Sequence, residues 1–464
     1  MDVLIVGGGP AGLSAACAAR DCGLEVALLD EQAAPGGQLF RNIETPLGKA
    51  ALDRKERAQG VALVERFRNS GAIYYPETLV WGLEPGKVSC TMGGKQEMLT
   101  ATSIVVAPGA MERPVPFPGW TLPGVMGAGA ADILLRSGGT FSSNHDDPIV
   151  LAGNGPLLLL LANHLLEAGV NIAAWLDTGS WSKRMMALPF MPAAVLDAGY
   201  FVKGLSMAKK VALGKIPIIR GVGNICGVGG ERLEKVVFTA GGKQQELEAV
   251  ALLRHEGIIP RTHMLNSLNI RHRWDKVQRY WYPVIDENGA TDIAGLFLAG
   301  DAGYVHGGDA SRLKGSLAGI AAARQVGVIS DEEAAFRSRD FRTKLRKMRI
   351  ARAFLRFIFA PNQEIFNVPD ETMVCRCECV TAGDIRKAAN EGCANVNEIK
   401  LFTRCGMGRC QGRMCGPALA EIAAAELGSG TDAMGTLQIR QPFRPVSLEQ
   451  YCNLYNPELS ADEG

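Results

Sequence analysis

The 464-residue chain has no strong excess of charge of either sign, because 49 Lys and Arg residues are matched by 48 Asp and Glu residues, a net charge of +1. This balance removes any global electrostatic reason to expect nucleic acid or an acidic membrane as a partner. Long hydrophobic runs are also missing, and the longest, residues 156–162, is too short to cross a bilayer. An apolar strand pattern begins almost at Met1, so we expect no signal peptide. We therefore expect a soluble, cytoplasmic protein that reaches the inner face of the membrane only through partners.

Two further signatures of particular chemistries are absent. The six histidines show no metal-ligand spacing, so we expect surface or core roles for them. Between Cys22 and Cys375 the only cysteines are Cys90 and Cys226, which excludes a C-x-x-C dithiol from the middle of the chain. The cysteines are concentrated near the end instead, with seven in residues 375–415. In a cytosolic chain such a cluster predicts a metal-binding or redox site before it predicts disulfide bonds.

The pattern around which the chain is organised lies at its beginning. An apolar strand over residues 2–6 leads into Gly7-x-Gly9-x-x-Gly12, and an alanine-rich helical pattern follows over residues 13–22. Gly7 makes a tight turn, Gly9 lets the backbone approach a pyrophosphate, and Gly12 lets the helix pack on the strand. The start of the helix offers free N–H groups and a positive dipole end to the phosphates. Strand, turn and helix in this order predict a bound dinucleotide.

Later stretches fit the same cofactor. A second strand ends at Asp30, where a carboxylate can accept hydrogen bonds from an adenosine ribose. Small residues in 36–38 and 107–110 would let the backbone pass close to a flat cofactor, although 36–38 alone also reads as an ordinary loop. A buried strand over 294–299 ends in Gly300-Asp301, whose carboxylate can accept a hydrogen bond from a polyol hydroxyl. The predicted dinucleotide contacts are Gly7, Gly9, Pro10, Ala11, Gly12, Asp30, Glu31, Gly37, Gln38, Ala107, Gly109, Gly300 and Asp301.

A second, incomplete unit of this type begins at residue 148. Gly153 and Gly155 follow a strand, but Leu158 stands where the third glycine is expected and would push helix and strand apart. Asp177, at the end of the next strand, would suit a ribose 2′-hydroxyl. Gly153 and Gly155 are therefore candidate contacts for a nicotinamide dinucleotide, and we favour the alternative of a scaffold that binds nothing.

Two basic stretches and one histidine have open roles. Residues 180–214 form a helical pattern rich in Lys and Met, where we expect a solvated face, with an interface or an anion site as the alternative. Residues 331–356 form an amphipathic basic helix with Phe336, Phe341, Leu345 and Met348 on its apolar face. We favour a solvated helix that joins domains over a docking surface for an acidic partner or a membrane. His306 is expected to be a plain loop residue rather than a flavin contact.

Spacing divides the late cysteines into two pairs. Cys375-x-Cys377 is separated by 32 residues from Cys410-x₄-Cys415. Four thiolates in two pairs, with glycines that bend the backbone around them, can hold a [2Fe–2S] cluster. They can also hold zinc, which fits less well because structural zinc usually takes C-x₂-C pairs at both ends. Cys405 stays an alternative ligand, since Cys405-x₄-Cys410 is also a reasonable spacing.

Together these motifs resemble a known family over nearly the whole chain. Residues 7–12, 36–38, 107–110 and 300–301 are similar to the two-dinucleotide-domain flavoproteins of the thioredoxin-reductase type. Residues 111–125 resemble one branch more closely, the FAD-binding α subunits of heteromeric amino-acid dehydrogenases. That branch includes opine oxidases, hydrogen cyanide synthase, and D-hydroxyproline and dye-linked proline dehydrogenases. It has a [2Fe–2S] domain of the bacterioferritin-associated-ferredoxin type.

The ferredoxin-type domain is carried by residues 375–378 and 406–413, and its four ligands fall on Cys375, Cys377, Cys410 and Cys415. The resemblance implies an α/β protein with two Rossmann-like domains and a small α-helical cluster domain. The implied divisions are a discontinuous FAD domain (1–118 and 266–330), an inserted NAD(P)-like domain (119–265), a basic helical linker (331–370), a [2Fe–2S] domain (371–425) and a C-terminal tail (426–464).

The resemblance also implies a function. A partner flavoprotein β subunit of the glycine/sarcosine-oxidase type would hold the substrate site and oxidise the C–N bond of an amino or imino acid. Electrons would pass to the FAD and cluster of this chain and then to a quinone or another carrier, with an FMN at the junction with the partner and a small third subunit. A self-contained NAD(P)H-dependent reductase is the first alternative, and an intact second nucleotide site would favour it. A non-catalytic adaptor with a structural zinc is the second.

Overall fold

The computed structural model describes residues 1–46, 48, 52–141, 144 and 146–455. A five-stranded parallel sheet forms its centre, with the strand order Leu296–Leu298, Ser103–Val106, Val3–Val6, Val26–Leu29, Ile73–Tyr75. Val3–Val6 is buried along its whole length, as expected for an apolar strand whose sheet is covered by helices on both faces. The glycine turn that follows this strand therefore lies at the carboxyl edge of the sheet, beside the ends of its neighbours.

A second five-stranded parallel sheet repeats this plan. Its strand order is Ile218–Arg220, Ile172–Asp177, Ile149–Gly153, Ala251–His255, Val125–Gly127. All of its strands fall in sequence between Ser103–Val106 and Leu296–Leu298 of the first sheet. The α/β fold class with two Rossmann-like units, one inserted in the other, is thus confirmed.

The remaining strands form smaller, separate antiparallel sheets. The three-stranded ones are Leu79–Glu84, Lys87–Met92, Lys95–Thr100 and Gly223–Val228, Lys235–Ala240, Lys243–Glu248. The two-stranded ribbons pair Ala110–Glu112 with Ile258–Pro260, His272–Asp275 with Tyr280–Pro283, and Met373–Cys375 with Val380–Thr381. The first ribbon pairs the segment before the inserted unit with the segment after it, so it forms the connection between the two units.

The helices cover both sheets and build the last domain. They are Pro10–Arg20, Arg54–Arg68, Ala128–Arg136, Pro156–Glu167, Trp181–Ala187, Ala198–Leu213, His263–Asn266, Gly308–Val326, Asp331–Ala351, Ala353–Ile358, Ala382–Asn390, Val396–Thr403, Gly416–Glu426, Thr431–Met434 and Leu448–Tyr455, with 3₁₀ segments at Leu188–Asp197, Gly300–Ala302 and Gln363–Phe366. Helix ends follow local capping chemistry. The Asp53 side chain accepts hydrogen bonds from the N–H groups of Lys55 and Glu56, so that helix begins at Arg54.

Two helices touch backbone to backbone. These are the first helix (Pro10–Arg20) and the glycine-rich helix (Gly308–Val326). A Cβ atom on Gly315 would lie 2.1 Å from the carbonyl oxygen of Ala11, and one on Gly319 would lie 2.4 Å from that of Ala15. Because the paired residue numbers rise together, the two helices run parallel. Their positive N-terminal ends therefore lie at the same edge of the sheet.

The last domain packs on one face of the first sheet. A single buried cluster combines Val6 and Val106 of that sheet with Ile385, Leu419 and Phe443 of the last domain. The Thr381 side chain caps the helix Ala382–Asn390 in a reciprocal pair with Asp384, as the N-cap pattern predicts. The stretch after the helix Gly416–Glu426 is also held down, because the Gln441 side chain accepts the N–H of Leu83 at 2.8 Å. The predicted tail comprises residues 426–464, and the structure describes it as far as residue 455.

The basic helix departs from its predicted apolar face at one position. Phe341, Leu345 and Met348 pack against the glycine-rich helix, but Phe336 is 73 % exposed. The step from Phe336 to Phe341 is five residues, which turns a helix by about 140° beyond one full turn and so changes the face. The expected helix is also longer than the observed one, which ends at Ala351 before a short helix, Ala353–Ile358.

One helical segment, Trp181–Leu213, is long and apolar enough by length and composition to cross a membrane. The segment includes charged residues, so a search for uninterrupted apolar runs overlooks it. Only 11 % of its apolar window is buried in the protein.

The close contact at Gly315 predicts a specific loss of stability. Gly315→Ala should lower the free energy of unfolding by about 1–3 kcal/mol, because its methyl group overlaps the backbone of the first helix. Gly204→Ala, in the helix Ala198–Leu213, is the matched control, since its methyl group meets no atom and should raise stability by up to about 1 kcal/mol. Thermal unfolding of both variants with saturating FAD measures the difference. Equal midpoints for the two variants would contradict the contact.

Candidate functional site

At the first glycine turn the backbone packs closely on itself, and several of its glycines have no room for a side chain. A Cβ atom on Gly7 would lie 2.4 Å from the carbonyl oxygen of Ala107, and one on Gly12 would lie 1.9 Å from that of Gly7. A Cβ atom on Gly37 would lie 2.6 Å from the Cα atom of Gly9. A Cβ atom on Gly9 would meet no described atom closer than the Cα atom of Gly37, at 3.9 Å. The turn therefore has glycine where the chain packs on itself and where a pyrophosphate would approach.

The predicted dinucleotide contacts gather around this turn. Ala11 faces Gly300, since a Cβ atom on Gly300 would lie 2.7 Å from the Cβ atom of Ala11. Pro10 is the first residue of the first helix, with Gly9 as its N-cap. Gly109 follows Ala107, and its carbonyl oxygen accepts the N–H of Arg261. The two remaining side chains, Gln38 and Glu31, are exposed, and Glu31 forms an ion pair of 2.6 Å with Arg444 of the last domain.

Asp30 has an unsatisfied carboxylate at the position predicted for the ribose contact. Its Oδ1 atom accepts the N–H of Gln32, but its buried Oδ2 atom has no hydrogen-bond partner among the described residues. Burial raises the pKa of Asp30 to about 6. A buried carboxylate oxygen without a donor is costly, and hydroxyl groups of an adenosine ribose would supply the missing hydrogen bonds. The residues present therefore fit an FAD adenosine.

A polar network holds the loop before the glycine-rich helix. The Asp301 carboxylate accepts the N–H groups of His306 and Gly307, and the Lys314 ammonium donates to the carbonyl oxygens of Gly300 and Tyr304. Lys314 also lies 3.0 Å from Nδ1 of His306. Burial lowers the pKa of Lys314 to about 8, and burial followed by the Lys314 charge lowers the pKa of His306 well below its usual value. The lowered pKa favours the neutral form of His306, whose Nδ1 atom also lies 3.2 Å from the carbonyl oxygen of Tyr304.

One large cavity joins the two dinucleotide units. Its volume is about 1680 Å³, and Asp301, His306 and Gly308 line it on the side of the first unit. Gly155 and His255 line it on the side of the inserted unit. The N-termini of the glycine-rich helix and of the helix Pro156–Glu167 therefore face one shared space. His306, expected to be a plain loop residue, also lines this space.

The second glycine turn is engaged by the protein itself. Asn154, between Gly153 and Gly155, donates its side-chain amide to the carbonyl oxygen of Ile358 at 3.2 Å. Asp177, the predicted ribose contact, forms an ion pair of 2.5 Å with Arg184. Leu158 is fully buried in the core of the inserted unit, where the fingerprint has glycine. The features that would receive a nicotinamide dinucleotide are thus satisfied by side chains and backbone of the same chain.

The cysteine loop brings five thiols together. The Sγ atoms of Cys375, Cys405 and Cys415 lie within 4.8 Å of one another, and all three residues are buried. Cys377 and Cys410 lie side by side, and their thiols are close enough to hydrogen-bond. Two of the four predicted metal ligands, Cys375 and Cys415, therefore lie in one group with Cys405, and the other two form a second pair. Cys405, the alternative ligand, is buried against Cys375 and Cys415.

Hydrogen bonds at this loop stabilise a thiolate. The thiols of Cys405 and Cys415 donate to Cys375 and lower its pKa, with further help from the N–H groups of Gly406 and Glu378. The hydrogen bond that each of them donates to Cys375 raises the pKa of Cys405 and of Cys415. Thiols this close together can bind one metal centre, and a bound metal would replace their protons. This donor set fits an iron–sulfur cluster or zinc.

Sequence reasoning missed the residues that hold the two units together. Arg113 donates to the carbonyl oxygens of Glu256, Gln278 and Arg279, and burial lowers its pKa to about 10. The Glu112 carboxylate accepts the N–H groups of residues 128 and 129 and contacts His255 at 2.6 Å. The available signal was the adjacent charged pair Glu112 and Arg113, which precedes the proline-rich stretch 114–118 between the two units.

Comparisons with known proteins divide the chain in two. Residues 1–327 match the family model for pyridine nucleotide-disulphide oxidoreductases, and residues 370–452 match the sarcosine oxidase A3 domain. An opine oxidase subunit of Rhizobium meliloti is 40 % identical over 98 % of this chain and 87 % of its own length. The hydrogen cyanide synthase subunit HcnB of Pseudomonas protegens is 28 % identical over 97 % of both chains.

A solved structure shows the same fold over the whole chain. The crystal structure of L-proline dehydrogenase from P. horikoshii superposes with a TM-score of 0.70 over 97 % of this chain and 78 % of that one. Their sequences are 20 % identical. The fold of this chain is therefore shared by a protein of low sequence identity.

Asp30 gives a prediction in which stability and cofactor affinity move in opposite directions. Its pKa in the folded, cofactor-free chain is about 6, above the usual 3.8, so that chain should lose stability as pH rises from about 4 to 6. Asp30→Asn should remove this pH-dependent loss of stability. Without cofactor at pH 7, the variant should therefore unfold at a higher temperature than the wild-type chain. It should bind FAD about 10- to 100-fold more weakly, because a charged hydrogen bond is lost.

Calorimetry of the cofactor-free chain at several pH values and titration with FAD measure both effects. Asp21→Asn is the control, because Asp21 forms only an exposed ion pair with Arg66 and should leave FAD affinity unchanged. Unchanged FAD affinity in Asp30→Asn would remove Asp30 from the site.

Proposed function

Because this chain belongs to the pyridine nucleotide-disulphide oxidoreductase family, and within it to the FAD-dependent oxidoreductase subunits related to those of opine oxidase, we propose that it transfers electrons within a heteromeric dehydrogenase. One observation carries this proposal. The buried thiols Cys375, Cys405 and Cys415 belong to the same hydrophobic cluster as Val6 and Val106 of the dinucleotide-binding sheet. A shared core holds a cluster at a constant distance from a flavin, which electron transfer requires.

FAD is the cofactor of the first unit. The turn Gly7–Gly12 would hold its pyrophosphate, Asp30 its adenosine ribose, and Asp301 would lie at its polyol chain. His306, whose Nδ1 atom lies 3.0 Å from the Lys314 ammonium, lines the cavity where the flavin ring would lie. The N-terminus of the glycine-rich helix adds positive potential in the same place.

A [2Fe–2S] cluster is the proposed second group. Cys375 and Cys415 lie together, as do Cys377 and Cys410, so each pair would hold one iron. Cys405 would lie behind the first pair and donate its thiol hydrogen to the Cys375 sulfur. When bound, FAD accepts two electrons at once and the cluster passes them singly.

The substrate would be an amino or imino acid, oxidised in a partner flavoprotein of the glycine/sarcosine-oxidase type. The relatives support this class through their names, which include opine oxidase and hydrogen cyanide synthase. A quinone or another carrier would receive the electrons, and a small third subunit would complete the complex.

An FMN at the junction with the partner is the proposed third group. The cavity of about 1680 Å³ exceeds the ~300–1,000 Å³ of most small-molecule sites, so it has room beyond one flavin ring. Arg346 and Arg349 line it and are exposed, with no salt bridge to any described residue. Two such guanidinium groups suit a phosphate.

A self-contained NAD(P)H reductase is the alternative, and the state of the second glycine turn argues against it. A nicotinamide dinucleotide would have to displace the Asn154 contact with Ile358 and the Asp177 ion pair with Arg184. With the dinucleotide bound, Ile358 and Arg184 would both be left without these contacts.

Cysteine variants test the ligand assignment. Cys377→Ser and Cys410→Ser should lose most of their iron and the electron paramagnetic resonance signal of the dithionite-reduced protein. Cys405→Ala should keep both, with a shifted reduction potential because a hydrogen bond to sulfur is lost. Cys393→Ser, a cysteine outside the thiol group, is the control. Loss of iron in Cys405→Ala would make Cys405 a ligand, and zinc in place of iron in the wild-type protein would favour the adaptor alternative.

Anaerobic stopped-flow absorbance tests the source of electrons. NADH and NADPH should leave the flavin band of the isolated chain unchanged, since the second turn is engaged. An amino or imino acid substrate should bleach the band only after the partner flavoprotein is added. Rapid bleaching by either nucleotide would replace the proposed function with the reductase alternative.

A further inference from the structure

The segment Trp181–Leu213 forms an apolar surface on the outside of the inserted unit. Val195 is 77 % exposed, Val202 62 % and Leu205 56 %, and Trp181 and Leu213 are exposed as well. Soluble proteins rarely leave a contiguous apolar surface of this size open to water unless it binds something. We call it the 181–213 surface. We propose that it docks the partner flavoprotein that supplies electrons, an inference that rests on the proposed function.

The 181–213 surface is tied to the rest of the chain by several side-chain contacts. Lys203 forms ion pairs of 2.7 Å with Asp53 and 2.5 Å with Glu56 of the first unit. The rings of Phe190 and Phe357 stack with centroids 4.8 Å apart. A preformed surface loses little conformational entropy on docking, which favours a specific protein interface.

Further contacts argue against a membrane-spanning role. Arg352 binds the Asp197 carboxylate at 2.9 Å, and Arg184 binds Asp177, so one side of the segment is fastened to the protein by charged groups. The segment is also divided by the 3₁₀ stretch Leu188–Asp197, which contains Pro192. A spanning helix needs about 20 continuous, predominantly apolar residues. The apolar side chains therefore cover one face of a bent, anchored structure.

The position of the surface identifies its occupant. Tyr200, Gly204 and Met207 of this segment line the same cavity as His306 and Gly308, where the flavin ring would lie. A protein seated on the 181–213 surface would lie at the opening of that cavity, and it would exclude water from it. The partner that must approach the flavin is the electron-donating flavoprotein, and the relatives are named as subunits of oxidases and synthases.

Charge at the edge of the surface specifies the chemistry of the partner. Lys209 and Lys215 are exposed and form no salt bridge with any described residue. Interfaces of this type have an apolar core and a polar rim. We therefore expect an apolar patch on the partner, bordered by Asp or Glu residues that face these two lysines.

The experiment compares complex formation by full-length variants. The chain is co-expressed with the glycine/sarcosine-oxidase-type flavoprotein of the same organism, and its complexes are measured by size-exclusion chromatography with light scattering. The double variant Val195→Glu, Val202→Glu, at two exposed positions outside the cavity lining, should weaken the complex at least about 100-fold, because two charges would be buried in an apolar interface. Its own flavin and cluster absorbance should stay as in the wild-type chain.

Phe336→Glu is the matched control, because Phe336 is equally exposed and apolar but lies on the basic helix. It should form the complex as tightly as the wild-type chain. Undiminished binding by the double variant would overturn the inference and leave the proposed function standing. A wild-type chain that forms no complex with the flavoprotein would overturn both.

Two other occupants are distinguished by measurements on the chain alone. A wild-type dimer that becomes monomeric in the double variant would show that a second copy covers the surface. Flotation of the wild-type chain, but not the double variant, with vesicles of phosphatidylethanolamine and phosphatidylglycerol would show that a membrane covers it. Either result would overturn the partner assignment.

Discussion

The backbone contact between the first helix and the glycine-rich helix is the constraint on which the site depends. At Gly315 and Gly319 there is no room for even a methyl group between the two helices. This contact makes them parallel and adjacent, so that both N-termini face the carboxyl edge of the first sheet. The glycine turn, the Asp301 loop and His306 take their positions from that arrangement. A dinucleotide therefore meets a site that is already formed, with little ordering left to occur on binding.

The last domain is held against the dinucleotide-binding unit. Its core is continuous with the first sheet, and Gln441 and Arg444 tie the stretch that follows it to Leu83 and Glu31. Domains that share a core move together, unlike domains joined by a flexible linker. The distance between the cysteine group and the glycine turn is therefore a property of the fold.

The inserted unit has a Rossmann-like form with an incomplete glycine fingerprint. Its glycine turn faces the shared cavity, but Asn154, Asp177 and Leu158 are all engaged in contacts within the chain. Its outer helices expose apolar side chains such as Val195 and Val202 to solvent. The two faces of this unit therefore differ in kind, one polar and turned to the cavity and the other apolar and open to water.

Local patterns in the sequence by themselves determined the strand–turn–helix units, the glycine turns and the concentration of cysteines in residues 375–415, because each depends on residues close in the chain. Only the tertiary structure decided that Cys405 lies against Cys375, that Arg184 forms an ion pair with Asp177, and that His306 lies beside Lys314. It also decided that the 181–213 residues face solvent. Which distant groups meet depends on how whole elements pack, and spacing along the chain does not encode that.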